Sequence, residues 1–401
     1  MSHDISLRPL NWGTRCQCCQ KTMLRVLLAV LLLFASLASV SAAWTERLTQ
    51  AKDENDPSVR GWHFITSSSD GTKLAATASV GNIWTSTDSG ATWTERETQA
   101  EGESGPTKRA WRGIASSSDG TKLVAGVYGA NIWTSTNSGE TWTEVPGNMQ
   151  NWWAFTSSSD GSKLAATAWP GGGKSGFIWT STNYGATWNQ KAISTDWRGI
   201  TMSSDGTKLA AVVCCRGNGV TLNGVWMSTD SGNMWNEVPG VTPSTPSGTE
   251  SWQSITMSSD GTKLAAAAIN GNIWTAVSSD SGWTWTERET WNEGESEPSV
   301  QNWREITMSS DGTKLAATIP SGSIWTSTNS GETWTEVKPS ESEQIWYGIT
   351  SSSDGTKVAI AVINGNIWTY TAPPPPPVPP PLSCCEEALA KYGFTTGREL
   401  R

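Results

Sequence analysis

Histidine is almost missing from this chain. Of the two in 401 residues, His3 lies in the leader and only His63 lies beyond it. That leaves no histidine pair for a metal centre, and no cluster of His, Cys, Asp or Glu has metal-ligand spacing, so neither a metal nor a cofactor is expected. Cysteine is sparse as well. Cys16, Cys18 and Cys19 fall in the leader, leaving two adjacent pairs, Cys214-Cys215 and Cys384-Cys385. In an exported chain these pairs are candidates for a bridge between a loop and the tail. Positive charge is also in deficit. The net charge is −9, and it becomes −12 once the four basic residues and one acid of residues 1–42 are removed. Nucleic-acid affinity comes mainly from neutralising phosphates, so this balance argues against such a partner.

Long apolar runs are missing except at the start. Leu24-Arg25 precedes the run from Val26 to Leu37, and small residues follow it, Ala38-Ser39-Val40-Ser41-Ala42-Ala43. This reads as a signal peptide over residues 1–42, with Met23 as an alternative start. The run is too short to span a bilayer comfortably, so no stable membrane insertion is expected after cleavage; a retained anchor is the competing reading. At the other end, Pro373 to Pro377 and Pro379 to Pro381 make a stiff spacer over 372–383. The tail, 384–401, is either disordered or a brief helix around Glu386-Glu387-Ala388-Leu389-Ala390-Lys391.

What the chain does have, between residues 43 and 371, is one phrase repeated seven times. Its Asp-Gly recurs at Asp70, Asp119, Asp160, Asp205, Asp260, Asp311 and Asp354, a mean step of about 47 residues. We number the repeats 1 to 7 in that order. Each holds four short strand patterns, alternating at period two, with an Asp-Gly turn between the first pair. Asp-Gly is expected to supply the positive φ angles of a tight hairpin. Repeat 7 stops after Ile367-Trp368-Thr369 and lacks its closing strand, while Trp44-Thr45-Glu46-Arg47 matches the closing strand Trp93-Thr94-Glu95-Arg96 of repeat 1. Radial repetition hides the edges of such units. The expected fold is all-β: a seven-bladed propeller of four-stranded antiparallel blades, monomeric, with the N-terminal strand completing the last blade.

The turn between strands three and four follows Ser/Thr-x-Asp/Asn-x-Gly-x-x-Trp. Its copies centre on Asp88, Asn137, Asn183, Asp230, Asp280 and Asn329; the Asp280 copy carries a two-residue insertion after Trp274. The side-chain oxygen can accept backbone N–H bonds while Gly takes a left-handed position. This motif resembles the Asp-box, or BNR repeat, of sialidases, sortilin-type receptors, xyloglucanases and photosystem II assembly factors. The resemblance covers about four-fifths of the chain. It implies a propeller in which the box is a structural device, so none of these six residues is expected to be catalytic.

Function is then expected where the copies differ. The position after each leading Trp is His63, Arg112, Trp153, Arg198, Gln253, Arg304 and Tyr347. On a propeller these begin the innermost strands and encircle one mouth of the central channel. With the leading ring of Trp62, Trp111, Trp152, Trp197, Trp252, Trp303 and Trp346, they read either as a binding rosette or as packing and local ion pairs. Two overlong loops break the symmetry, from Trp169 through Lys174 and from Cys214 through Arg216, which adds Trp169, Lys174 and Arg216 to the candidates. Acidic connections such as Asp53-Glu54-Asn55-Asp56 and Glu293-Gly294-Glu295 form a solvated rim or, alternatively, a cation or basic-partner site.

A sialidase needs an arginine triad, a Tyr-Glu pair and an Arg-Ile-Pro signature. The signature is absent, and Arg112, Arg198 and Arg304 are merely equivalent positions of repeats 2, 4 and 6. The expectation is an exported, non-catalytic module binding a protein or glycan. The alternatives are a photosystem II assembly or stability factor, with a thylakoid-lumen location, and a glycoside hydrolase.

Overall fold

The computed structural model describes residues 44–49, 60–105, 107–171, 176–191, 194–214, 224–239, 241, 251–280, 282–290, 301–340 and 343–373. Residues 42–371 form one compact unit. The leader, the proline spacer beyond residue 373, the tail, Lys174, Arg216 and most of the acidic connections lie outside the described residues.

Every regular element among the described residues is a β-strand. Repeats 4, 5 and 6 each make a separate four-stranded antiparallel sheet whose strands follow chain order. In repeat 4 these are Trp197–Met202, Leu209–Val213, Val225–Ser228 and Asn236–Glu237. Repeats 2 and 3 share one six-stranded sheet, because Thr143–Ser157 runs unbroken from the outer strand of one into the inner strand of the next. Repeats 7 and 1 share an eight-stranded sheet through the pairs Arg60↔Gly365 and Gly61↔Ile363. At its edge, Trp44–Arg47 pairs antiparallel with Ile367–Thr371, with Trp44 opposite Tyr370 and Arg47 opposite Ile367.

Side-chain size explains how these sheets pack. The second strand of each repeat is built from Ala, Val, Thr and Leu, and Leu74–Ala78, Leu164–Ala168 and Leu209–Val213 are buried at every residue. Small side chains there let the wide indoles of adjacent strands fit between sheets. Each leading Trp is 0–2 % exposed. Each also meets the Trp of its own third strand edge to face, as in Trp62–Trp84 (6.0 Å, 82°) and Trp197–Trp226 (6.0 Å, 81°). Such pairs add about 0.5–1.5 kcal/mol beyond the area they bury. Of the two readings of the leading tryptophans, packing is the one observed: these seven rings are core.

The turns also depart from expectation. In the Asp-Gly hairpins glycine alone takes positive φ, for example 67° at Gly71 and 63° at Gly206. The aspartate instead supplies an acceptor: Asp205 Oδ1 receives Ser203 Oγ at 2.6 Å and Thr207 N at 2.9 Å. Five of the six Ser/Thr-x-Asp/Asn-x-Gly turns make the anticipated bonds. Asp88 Oδ1 accepts Thr92 N at 2.8 Å, Gly90 N donates to Ser86 Oγ at 2.9 Å, and Trp93 Nε1 donates to Gly90 O at 3.0 Å. Asp280 is the exception. The two extra residues extend its hairpin, Ile273–Ser279 with Gly282–Arg288, and Asp280 sits at the tip without these bonds among the described residues.

At the ends of the inner strands two hydrogen-bond cycles run from repeat to repeat. Ser69 N donates to Ser118 O, and the chain continues through Ser159, Ser204, Ser259, Ser310 and Ser353, whose N–H returns to Ser69 O at 2.7 Å. In parallel, Lys73 Nζ donates to Asp119 O at 2.9 Å, and the last link, Lys357 Nζ to Asp70 O, is also 2.9 Å.

Candidate functional site

The variable position after each leading Trp sits in a local defect of its strand. In six repeats the register slips just after that Trp, for example between Trp62 and Ile65 and between Trp197 and Ile200. A bulge bends the strand and re-aims the extra residue's side chain. Threonines of the preceding repeat then hold several of these residues by their carbonyls. Thr77 Oγ1 donates to Arg112 O at 2.8 Å, Thr167 Oγ1 to Arg198 O at 2.7 Å, and Thr318 Oγ1 to Tyr347 O at 3.1 Å.

So positioned, residues from six repeats converge. The guanidinium carbon of Arg304 lies 3.8 Å from the Tyr347 ring centre and 5.9 Å from that of Trp153. Arg198 lies 4.6 Å from Trp153 and 5.3 Å from Trp169. Arg112 stacks 5.4 Å from Tyr128, and its Nη1 is 3.1 Å from His63 Nδ1. His63 in turn lies 4.8 Å from the Tyr347 ring. Trp169, at the start of an overlong loop, joins through Trp153 at 6.3 Å. Gln253 behaves differently: it is buried, and its Nε2 donates to Cys214 Sγ at 3.4 Å. Cys214 is disulfide-bonded, to a cysteine outside the described residues.

The electrostatics follow from burial. Arg304 is pushed down to about 10 by desolvation; Glu305 opposes this, and the like charges of Arg198 and Arg112 add to it. Burial lowers Arg112 and Arg198 too. His63 falls to about 3, through burial first and then the charges of Arg112 and Arg304, so it is neutral at physiological pH. Among the described residues no ion pair includes Arg112, Arg198 or Arg304. Their buried Nε atoms have no hydrogen-bond partner there either. Among the described residues these arginines rest on aromatic faces rather than in ion pairs. Three crowded, partly dehydrated guanidiniums with spare donors favour an incoming anion, above all a carboxylate.

One residue escaped sequence reasoning. Two positions after the leading Trp, the repeats carry Phe64, Gly113, Ala154, Gly199, Ser254 and Gly348, but repeat 6 carries Glu305. The column is mostly small because the next inner strand crowds it. A Cβ on Gly113 would lie 2.5 Å from Trp153 O, and one on Gly348 2.5 Å from His63 O. Glu305 is partly buried, and its desolvation raises its carboxyl to about 7, against the opposing effects of a Ser254 bond and of Arg304. Ser254 Oγ donates to Glu305 Oε2 at 2.7 Å. The signal available in the sequence was this lone charge in a column of small residues.

Glu305 lines a cavity of about 250 Å³ whose walls include Phe64, Trp153, Gln253 and the ring of Ile65, Ile114, Ile200, Ile255 and Ile306. At the far end of the same strands lies a second space of about 180 Å³, walled by serines on every side and by Met202, Met257 and Met308 on one flank. Ser116 and Ser157 belong to both walls.

No protein-family model and no curated protein sequence matches this chain. Solved structures do resemble it. YCF48 from Cyanidioschyzon merolae aligns at a TM-score of 0.58 and 14% identity, over 82% of this chain and 99% of that one. A structure of YCF48 bound to D1 peptide aligns at 0.59 and 12%, over 86% and 99%. The β-propeller domain of Myceliophteria thermophila Cps50 (Swd1) aligns at 0.54 and 11%, over 78% and 97%. At such identities the likeness establishes the fold, an all-β propeller of four-stranded antiparallel sheets.

Proposed function

We propose that this chain is an exported, non-catalytic seven-bladed propeller that binds an acidic segment of a protein partner at the mouth formed by Arg112, Arg198 and Arg304. The observation that carries this reading is the set of three guanidiniums stacked on Tyr128, Trp153, Trp169 and Tyr347 with no carboxylate paired to them among the described residues. The blade count and closure rest on the serine and lysine cycles, each of which visits all seven repeats and returns to its start, and on the strand Trp44–Arg47 completing repeat 7. A peptide partner is in keeping with the similar propeller that holds a D1 peptide.

The test is titration of a fluorescent glutamate-rich peptide into the wild-type protein and into the Arg112→Ala/Arg198→Ala/Arg304→Ala variant. Loss of affinity by about 100-fold is expected, since desolvated charge pairs are worth several kcal/mol when one side is removed. Unchanged affinity would place binding elsewhere. A second reading, a factor of the photosystem II assembly type acting in a thylakoid lumen, draws on the Asp-box resemblance and on the D1-peptide neighbour. It predicts that a D1-derived peptide outcompetes the generic acidic one.

A further inference from the structure

Glu305 has no place in an anion-binding mouth, and its surroundings suggest a separate role. One carboxylate oxygen accepts from Ser254; the other has no hydrogen-bond partner among the described residues. Arg304 precedes it in sequence yet forms no ion pair with it, because neighbours on a strand point to opposite faces. No lysine or arginine appears in the cavity wall. A partly buried, half-satisfied carboxyl leaves one strong acceptor on the wall of about 250 Å³ of space. Around that acceptor the wall is aliphatic and hydroxylic, with Phe64 and Trp153 at one end. The space is below drug-pocket size, which limits the occupant to a small molecule.

We propose that this cavity binds a small primary aliphatic amine. Its ammonium group meets the Glu305 carboxylate, and its methylenes lie against the isoleucine part of the wall. An ammonium offers three donors to an under-used acceptor. The stem replaces water along those isoleucines at about 0.8 kcal/mol per methylene. The acceptor, Glu305, is distinct from the arginines of the acidic-peptide mouth, while Trp153 borders both.

The experiment is calorimetric titration of the full chain with butane-1,4-diamine and with butylamine at pH 8 and pH 6. Both amines are expected to bind, more weakly at pH 6, where the Glu305 carboxyl holds its proton. The titratable groups to consider beside it are few: Arg304, which immediately precedes the strand Glu305–Met308, Tyr347 on Ile345–Ser351, and Lys263 on Lys263–Ile269, whose Nζ is engaged with Asp311 O; Ser251–Met257 and Leu315–Thr318 carry none. Glu305→Gln should weaken binding at least about 10-fold, the scale of one lost charge-assisted bond. Glu305→Asp should restore part of it, and acidic-peptide affinity should be unchanged in both variants. No binding by the wild type up to about 10 mM amine, or equal affinity in Glu305→Gln, overturns the proposal. A Glu305→Gln variant that fails to fold leaves the wild-type titration and its pH dependence as the deciding measurements.

Discussion

The two ends of the inner strands follow opposite rules. At one end every repeat presents Ser-Ser-Asp-Gly, and backbone and lysine bonds link each copy to the next in unbroken cycles. At the other end the copies present His63, Arg112, Trp153, Arg198, Gln253, Arg304 and Tyr347, and the register slips just where these residues begin. Identical residues can satisfy identical neighbours, so the serine end closes on itself and has little left to offer. Unlike residues cannot all satisfy one another, and three arginines remain with spare donors. In this molecule, chemistry accumulates where the repeat fails.

The largest effect that would blur this contrast lies in the packing both ends depend on. Trp252→Ala, which empties a site that is 0 % exposed, should cost about 3–5 kcal/mol in urea unfolding. Arg198→Ala should cost about 1 kcal/mol, the scale of its lost stacking on Trp153 and Trp169, while weakening peptide binding; a stability loss comparable to Trp252→Ala would make the mouth part of the scaffold. Next comes the serine end. Asp205→Ala removes the acceptor of a turn and should cost about 1 kcal/mol, with no change in peptide affinity.

Acid titration separates the ends by pH window. Asp70, Asp119, Asp160, Asp205 and Asp311 are held at about 2, below an ordinary 3.8, mainly by side-chain and backbone hydrogen bonds in their turns. Their contribution is present above pH 4 and is lost as pH falls towards 2. His63, depressed from 6.5 to about 3, acts at higher pH: the unfolded chain binds the proton first, so stability declines as pH falls from 6.5 towards 3. His63→Gln should flatten Tm across that upper window and leave the steeper loss near pH 4 to 2 intact. Glu305, raised from 4.5 to about 7, acts with the opposite sign: its Gln variant should gain stability relative to wild type as pH rises from 4.5 to 7.

Much of this was legible in the sequence because repetition is itself a measurement. Seven aligned copies separate invariant positions from variable ones, and an invariant Trp or Gly must serve something every copy shares. The same logic found the variable column and the five Asp/Asn turns, of six, that make the expected bonds. It failed at Asp280, where two inserted residues let a longer hairpin replace the box. It also failed at Gln253, a mouth position by column yet buried against Cys214. Glu305 was passed over because its column looked like packing, and only the crowding at Gly113 and Gly348 shows how unusual a carboxyl is there.

Composition and period alone determined an all-β chain of repeated antiparallel units, with turns made by Asp, Asn, Ser and Gly, because those are local choices of backbone angle and hydrogen bond. Which side chains meet across the ring was decided only by tertiary structure. Arg304 of repeat 6 beside Trp153 of repeat 3, and Glu305 facing an empty space rather than an arginine, depend on how the sheets are arranged in three dimensions. No residue carries that information in its own neighbourhood along the chain.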